Sequence, residues 1–142
     1  MSVYVPVDLR RRVRARLANC CAYCRTAEIL TATTFEFEHI LSLASGGATT
    51  FDNLCFSCPT CNRFKSDHNS AEDPVTQKSV PLFHPQRDQW NDHFSWTEDY
   101  SEIIGVSPCG RATVSALKMN RIPMIRVRRM WVALDEHPPQ IE

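Results

Sequence analysis

Two cysteine pairs of C-x-x-C spacing, Cys21-Ala-Tyr-Cys24 and Cys58-Pro-Thr-Cys61, constrain this chain more than any other feature. A tight turn of that spacing points two thiolates at one ion, and two such turns complete a tetrahedron with Zn–S distances of about 2.3 Å. Four sulfur ligands leave no open coordination position, so the expected role is a closed, structural zinc site. The pairs lie further apart than the roughly 15–20 residues of a simple zinc ribbon, so a whole structural element must sit between them. One pair alone could be a redox dithiol, but neither lies in a βαβ pattern. The chain has seven cysteines, an odd number that excludes a complete set of internal disulfides. Cys20, Cys55 and Cys109 are left without a role.

At 142 residues the sequence fits a single domain spanning 1–142. Its opening segment, Met-Ser-Val-Tyr-Val-Pro, has no apolar signal core, and no run is long enough to span a bilayer. The expected compartment is therefore the reducing cytoplasm, where paired cysteines read as metal ligands, and no membrane partner is expected. Formal net charge is zero, but the charges are segregated. Arg10, Arg11, Arg12, Arg14, Arg16 and Arg25 crowd the start, and Arg111, Lys118, Arg121, Arg126, Arg128 and Arg129 crowd the end. The acids gather between them. Two basic ends could steer a polyanion if the fold brings them together; they could equally be solvated helix faces.

Along the chain, Leu9, Val13 and Leu17 form an apolar stripe that predicts an N-terminal helix over 7–19. The alternating Phe35-Glu36-Phe37-Glu38-His39-Ile40 predicts a strand, and Ser45-Gly46-Gly47-Ala48-Thr49-Thr50 a loop. Asp52-Asn53-Leu54 has helix-starting chemistry, and Asn62 to Lys65 opens a short helix out of the second cysteine pair. The stretch over 72–85 carries Pro74, Pro81 and Pro85 and reads as an extended connection. Beyond it come a short helix over 86–93, a hairpin over 95–106, and helices over 111–119 and 123–134. The fold class is thus α+β, with a core over 20–70 and a helical and hairpin extension over 71–142. Trp90, Trp96 and Trp131 read as core, and His68, His84, His93 and His137 as structural or exposed.

The residues around the cysteines point to chemistry. His39 ends a predicted strand directly after an acid, and Asn62 directly follows the last thiolate. The order Cys21/Cys24, Glu38-His39, Gly46-Gly47, Asn53-Leu54, Cys58/Cys61-Asn62 and Lys65 resembles the zinc-bearing branch of the HNH endonucleases, within the His-Me finger (ββα-metal) superfamily. Looser similarity to a small free-standing subgroup extends through Pro81-Leu82-Phe83-His84-Pro85 and Gly110-Arg111-Ala112-Thr113-Val114.

The resemblance implies a ββα-metal core pinned by zinc and a metal-dependent nuclease acting on nucleic acid, with DNA the expected partner. In that reading His39 is the general base that takes a proton from the attacking water. Asn53 orients His39 through its amide or the local backbone. Glu38 and Asn62 hold one divalent ion, Mg2+ or Mn2+, that neutralises charge at the scissile phosphate and leaves 5′-phosphate and 3′-hydroxyl ends. Glu38 stands where Asp is commoner, and Asn62 makes the motif H-N-N, which favours hard cations over Ni2+ or Zn2+. Asn53 and Asn62 could instead be helix caps. Arg63 and Lys65 could touch phosphate or be solvated, and Arg10, Arg11, Arg12, Arg14, Arg126, Arg128 and Arg129 are the further candidate contacts. The competing reading is a non-catalytic zinc module that binds nucleic acid or protein.

Overall fold

The computed structural model describes residues 4–141; Met1, Ser2, Val3 and Glu142, and with them half of the opening segment read for a leader, lie outside the described residues. Helix α1 (Val7–Arg16) buries Val13, with Leu9 and Leu17 packed against the core. It stops short of the expected 7–19 because Ala18 and Asn19 take positive φ, at 54° and 63°. That left-handed conformation ends a helix, and asparagine tolerates it better than most residues. The chain then turns through the first cysteine pair, closed by a bridge between Cys20 and Ala27. The Ala22 amide donates to the Phe56 carbonyl at 2.8 Å, which ties this turn to the central hairpin.

That hairpin pairs β1 (Glu36–His39) with β2 (Leu54–Ser57), antiparallel, with His39 opposite Leu54 and Glu36 opposite Ser57. Phe35, Phe37 and Phe56 cluster with ring centroids 5.3–5.5 Å apart, and the Arg14 guanidinium of α1 lies 5.2 Å from the Phe37 and Phe56 ring centroids. Asp52 and Asn53 do not open a helix of any length. They belong to a single 3-10 turn, Phe51–Asn53, that leads straight into β2. Helix α2 (Pro59–Lys65) follows, with Cys58 as its N-cap and Pro59 in its first turn, where a missing N–H costs nothing. Ser66, at φ 52°, ends it. Strand, strand and helix are thus the ββα unit expected, with one cysteine turn before β1 and the other at the junction of β2 and α2.

In the extension, the proline-rich stretch is a second hairpin rather than an extended connection. Strand β3 (Ser70–Glu72) pairs with β4 (Ser79–Pro81). Asp73 organises its turn, accepting from the Val75 amide and the Thr76 hydroxyl, while Arg111 grips its carboxylate at 2.8 and 2.9 Å. Pro74 lies in the turn and Pro81 at the strand end, where no ladder donor is lost, and Pro85 falls beyond the hairpin. Helix α3 (Trp90–His93) is a single turn, and β5 (Phe94–Trp96) pairs with β6 (Ile103–Gly105). Helix α4 (Pro108–Ala116) starts three residues before the expected position because the Ser107 hydroxyl accepts from the Gly110 amide at 2.9 Å. Helix α5 (Ile122–Ala133) closes the described chain. Trp90, Phe83, Phe94 and Leu117 share one buried cluster with Tyr23, Leu54 and Phe56, so extension and ββα unit pack on each other. No helix among the described residues is long and apolar enough to cross a membrane.

Candidate active site and metal centre

The two cysteine turns meet. The sulfur atoms of Cys21, Cys24, Cys58 and Cys61 all lie within 4.8 Å of one another, with Cys24 and Cys58 at 3.9 Å. A zinc tetrahedron with 2.3 Å bonds has S···S edges of roughly 3.8 Å, so the cluster fits the ion. Cys21, Cys24 and Cys61 are buried and Cys58 is partly exposed. Burial pushes the Cys21 thiol well up, and the clustered thiols, Cys21 first, push that of Cys61 up. Four thiolates packed this closely need a cation between them. The Cys61 amide donates to Cys58 Sγ at 3.4 Å, which orients one of the four.

His39 stands at the end of β1, partly exposed, with its Nε2 2.9 Å from Thr49 Oγ1. Partial burial lowers its pKa, which keeps the imidazole neutral and able to accept a proton. Asn53 reaches the site through backbone. Its Nδ2 donates to the Leu41 and Ala48 carbonyls at 3.0 and 2.8 Å, and its Oδ1 accepts from the Leu41 amide at 2.8 Å. Its own carbonyl accepts from the Ile40 amide at 2.8 Å. Both ends of the loop carrying Thr49 are therefore held against the residue after His39. Gly47 makes this possible, since a Cβ there would lie 1.9 Å from the Leu41 oxygen and 2.7 Å from Asn53 Nδ2.

The acids of β1 face α2 in two rungs. Strand alternation puts Glu36 and Glu38 on one face. Asn62 Nδ2 donates to Glu36 Oε1 at 2.8 Å, and one helical turn on, Lys65 Nζ lies 3.4 Å from Glu38 Oε1 and donates to the Ile40 carbonyl at 2.9 Å. Glu38 is only 5% exposed, and burial pushes its pKa up to about 7 even though Lys65 pulls the other way. Its Oε2 accepts from the Cys55 thiol at 3.4 Å, with the Tyr23 hydroxyl beside that thiol, while Oε1 has no hydrogen-bond partner. Cys55 and Tyr23 have no motif spacing to announce them: the strand register sets Cys55 opposite Glu38, and the first cysteine turn carries Tyr23 to that thiol.

The candidate phosphate contacts divide. Lys65, at 2% exposed, is not a surface contact but the buried partner of Glu38. Arg128 is wholly buried too, donating to the carbonyls of Ser101 and Met119 and to Asn120 Oδ1, because the inner face of α5 turns it into the fold. Arg63, Arg126 and Arg129 are exposed, with Arg129 3.6 Å from Asp99. On α1, Arg11 and Arg12 are exposed and Arg10 and Arg14 half-buried; Arg11 pairs with Asp8 at 3.3 Å, and Arg12 lies 4.6 Å from the Phe51 ring centroid. A cavity of about 650 Å³ opens beside the Asn53-held loop, lined by Gly47, Asn53, Lys65, His68, His84 and Arg87 among others.

Residues 21–68 match the family model described as HNH endonuclease. That segment runs from Cys21 to just beyond α2 and contains His39, Asn53 and Asn62. No curated protein and no solved structure matches the chain.

Proposed function

We propose that the chain, acting as one domain, hydrolyses phosphodiester bonds of nucleic acid, DNA in the first instance, with His39 as general base. What carries the reading is His39 itself: a partly exposed, neutral imidazole at a strand end, beside a loop pinned by Asn53, within the matched segment. His39 takes a proton from water, the resulting hydroxide attacks phosphorus, and the P–O3′ bond breaks as the departing 3′ oxygen takes up a proton from solvent, leaving 5′-phosphate and 3′-hydroxyl ends. Asn53 positions His39 through the backbone. Glu38 and Asn62 are the residues that would hold Mg2+ or Mn2+. Glu38 Oε1, ion-paired to Lys65 but accepting no hydrogen bond, is a hard oxygen donor, and Asn62 commits its amide nitrogen to Glu36 while its Oδ1 accepts no hydrogen bond among the described residues. The ion would supply charge neutralisation at the scissile phosphate.

Lys65 already balances Glu38, and that observation favours the second reading, a zinc-pinned module that binds without cutting. Incubating the protein with plasmid and Mg2+, beside His39→Ala, separates the two. Nicking or linearisation lost in the variant supports hydrolysis, and intact plasmid with retained binding supports the module.

A further inference from the structure

We propose that Asp88, His93 and Cys109 form a second zinc site, separate from the four-cysteine centre and with a coordination position left open to water. One ligand atom from each lies within 4.8 Å of the others, and all three residues are partly exposed. They supply a carboxylate oxygen, an imidazole nitrogen and a thiolate, each an ordinary zinc ligand, and three protein ligands are the number typical of open zinc sites. Ligands about 2.0–2.3 Å from zinc lie roughly 3.3–3.8 Å apart, so small side-chain rotations close the triad.

The three come from three places that the fold locks together. Asp88 precedes α3, and its Oδ2 accepts from the His84 amide at 2.8 Å, which leaves Oδ1 uncommitted. His93 ends α3, its Nδ1 is 2.7 Å from Ser107 Oγ, and that hydrogen bond sets the ring as an outer-shell partner sets a metal-binding histidine. Cys109 lies in the first turn of α4, directly after Pro108. The approach of α4 to α3 depends on Gly110, since a Cβ there would lie 1.9 Å from the His93 carbonyl oxygen, which also accepts from the Val106 amide at 2.8 Å. Asp88 has no ion-pair partner among the described residues, so the carboxylate and thiol face each other with no protein cation between them. The donor mixture of O, N and S suits Zn2+ rather than Mg2+ or Ca2+. No C-x-x-C or H-x-x-x-H spacing joins positions 88, 93 and 109, so only the fold assembles them.

This second site stands whether or not the chain is a nuclease. Zinc per chain is measured on the protein, and on Cys109→Ser and Asp88→Asn, after saturation with Zn2+ and gel filtration in metal-free buffer. Each variant is expected to carry about one zinc fewer than the parent, which itself carries about two. In Co2+-loaded samples the variants are expected to keep the intense four-thiolate bands and lose only the weaker contribution. Cys109→Ser with the parent's zinc content overturns the proposal. Should that variant fail to fold, Asp88→Asn decides, and unchanged zinc there overturns it equally.

Discussion

Glu38 and Lys65 face each other in the core, 4% and 3% exposed at the side chain, and their pairing has a pH signature. Burial raises the Glu38 pKa from 4.5 to about 7. A carboxyl raised on folding binds more protons in the native state, so its contribution to stability is present below about pH 4.5 and lost as pH rises through about 7. Urea unfolding at pH 5 and pH 8 should therefore show a loss of stability in the parent that Glu38→Gln reduces. Lys65→Met removes the compensating charge, and should cost about 3–5 kcal/mol at pH 8 and less at pH 5, where Glu38 can take a proton. No local pattern announces this burial, because Lys65 sits in a basic-looking turn and its reach to Glu38 depends on how α2 crosses β1. His39, by contrast, is legible from its place after an acid in an alternating strand. Its lowered pKa predicts that the acid limb of any cleavage profile falls below the ordinary histidine value of about 6.5.

Among the elements, the cysteine turns and the loop after β1 decide whether the site exists. The C-x-x-C spacing, the first strand and the helix leaving the second cysteine pair can be read directly from local patterns, whereas β2 hides behind the helix-starting chemistry of Asp52-Asn53-Leu54. The β3–β4 hairpin cannot, because prolines mask a pairing that Asp73 and Arg111 secure from a distance. Cys58→Ser should lose both zinc and fold, measured by metal analysis and circular dichroism, because zinc binding is folding free energy in such turns. Gly47→Ala forces a carbon against the Leu41 carbonyl and the Asn53 amide, and so should displace the Thr49 loop from His39. A shift of about 1 Å at a reacting group can cost on the order of 100-fold in rate, so turnover should fall by at least roughly tenfold with zinc content unchanged.

Across the whole molecule, zero net charge gives no overall attraction for a polyanion, so binding must come from local clusters. The segregation of charge is visible in sequence, but not which arginines face water. Arg128 belongs to the core, and Arg129 has Asp99 nearby, so α1, Arg63 and Arg126 carry what remains. Replacing Arg10, Arg11, Arg12 and Arg14 with glutamine should weaken binding to unrelated duplexes by a similar factor. Each phosphate left without its arginine should reduce the logarithmic salt slope by about 0.9. Arg128→Gln should instead lower stability, since it strips hydrogen bonds from two buried carbonyls and from the partly buried Asn120 Oδ1. The central claim is that His39 performs the chemical step. The direct measurement is single-turnover cleavage of supercoiled plasmid in Mg2+ by the parent and by His39→Ala, with zinc content and DNA affinity checked on both. The account predicts a loss of about 100-fold or more in rate with zinc and affinity unchanged; cutting at the parental rate by His39→Ala would contradict it.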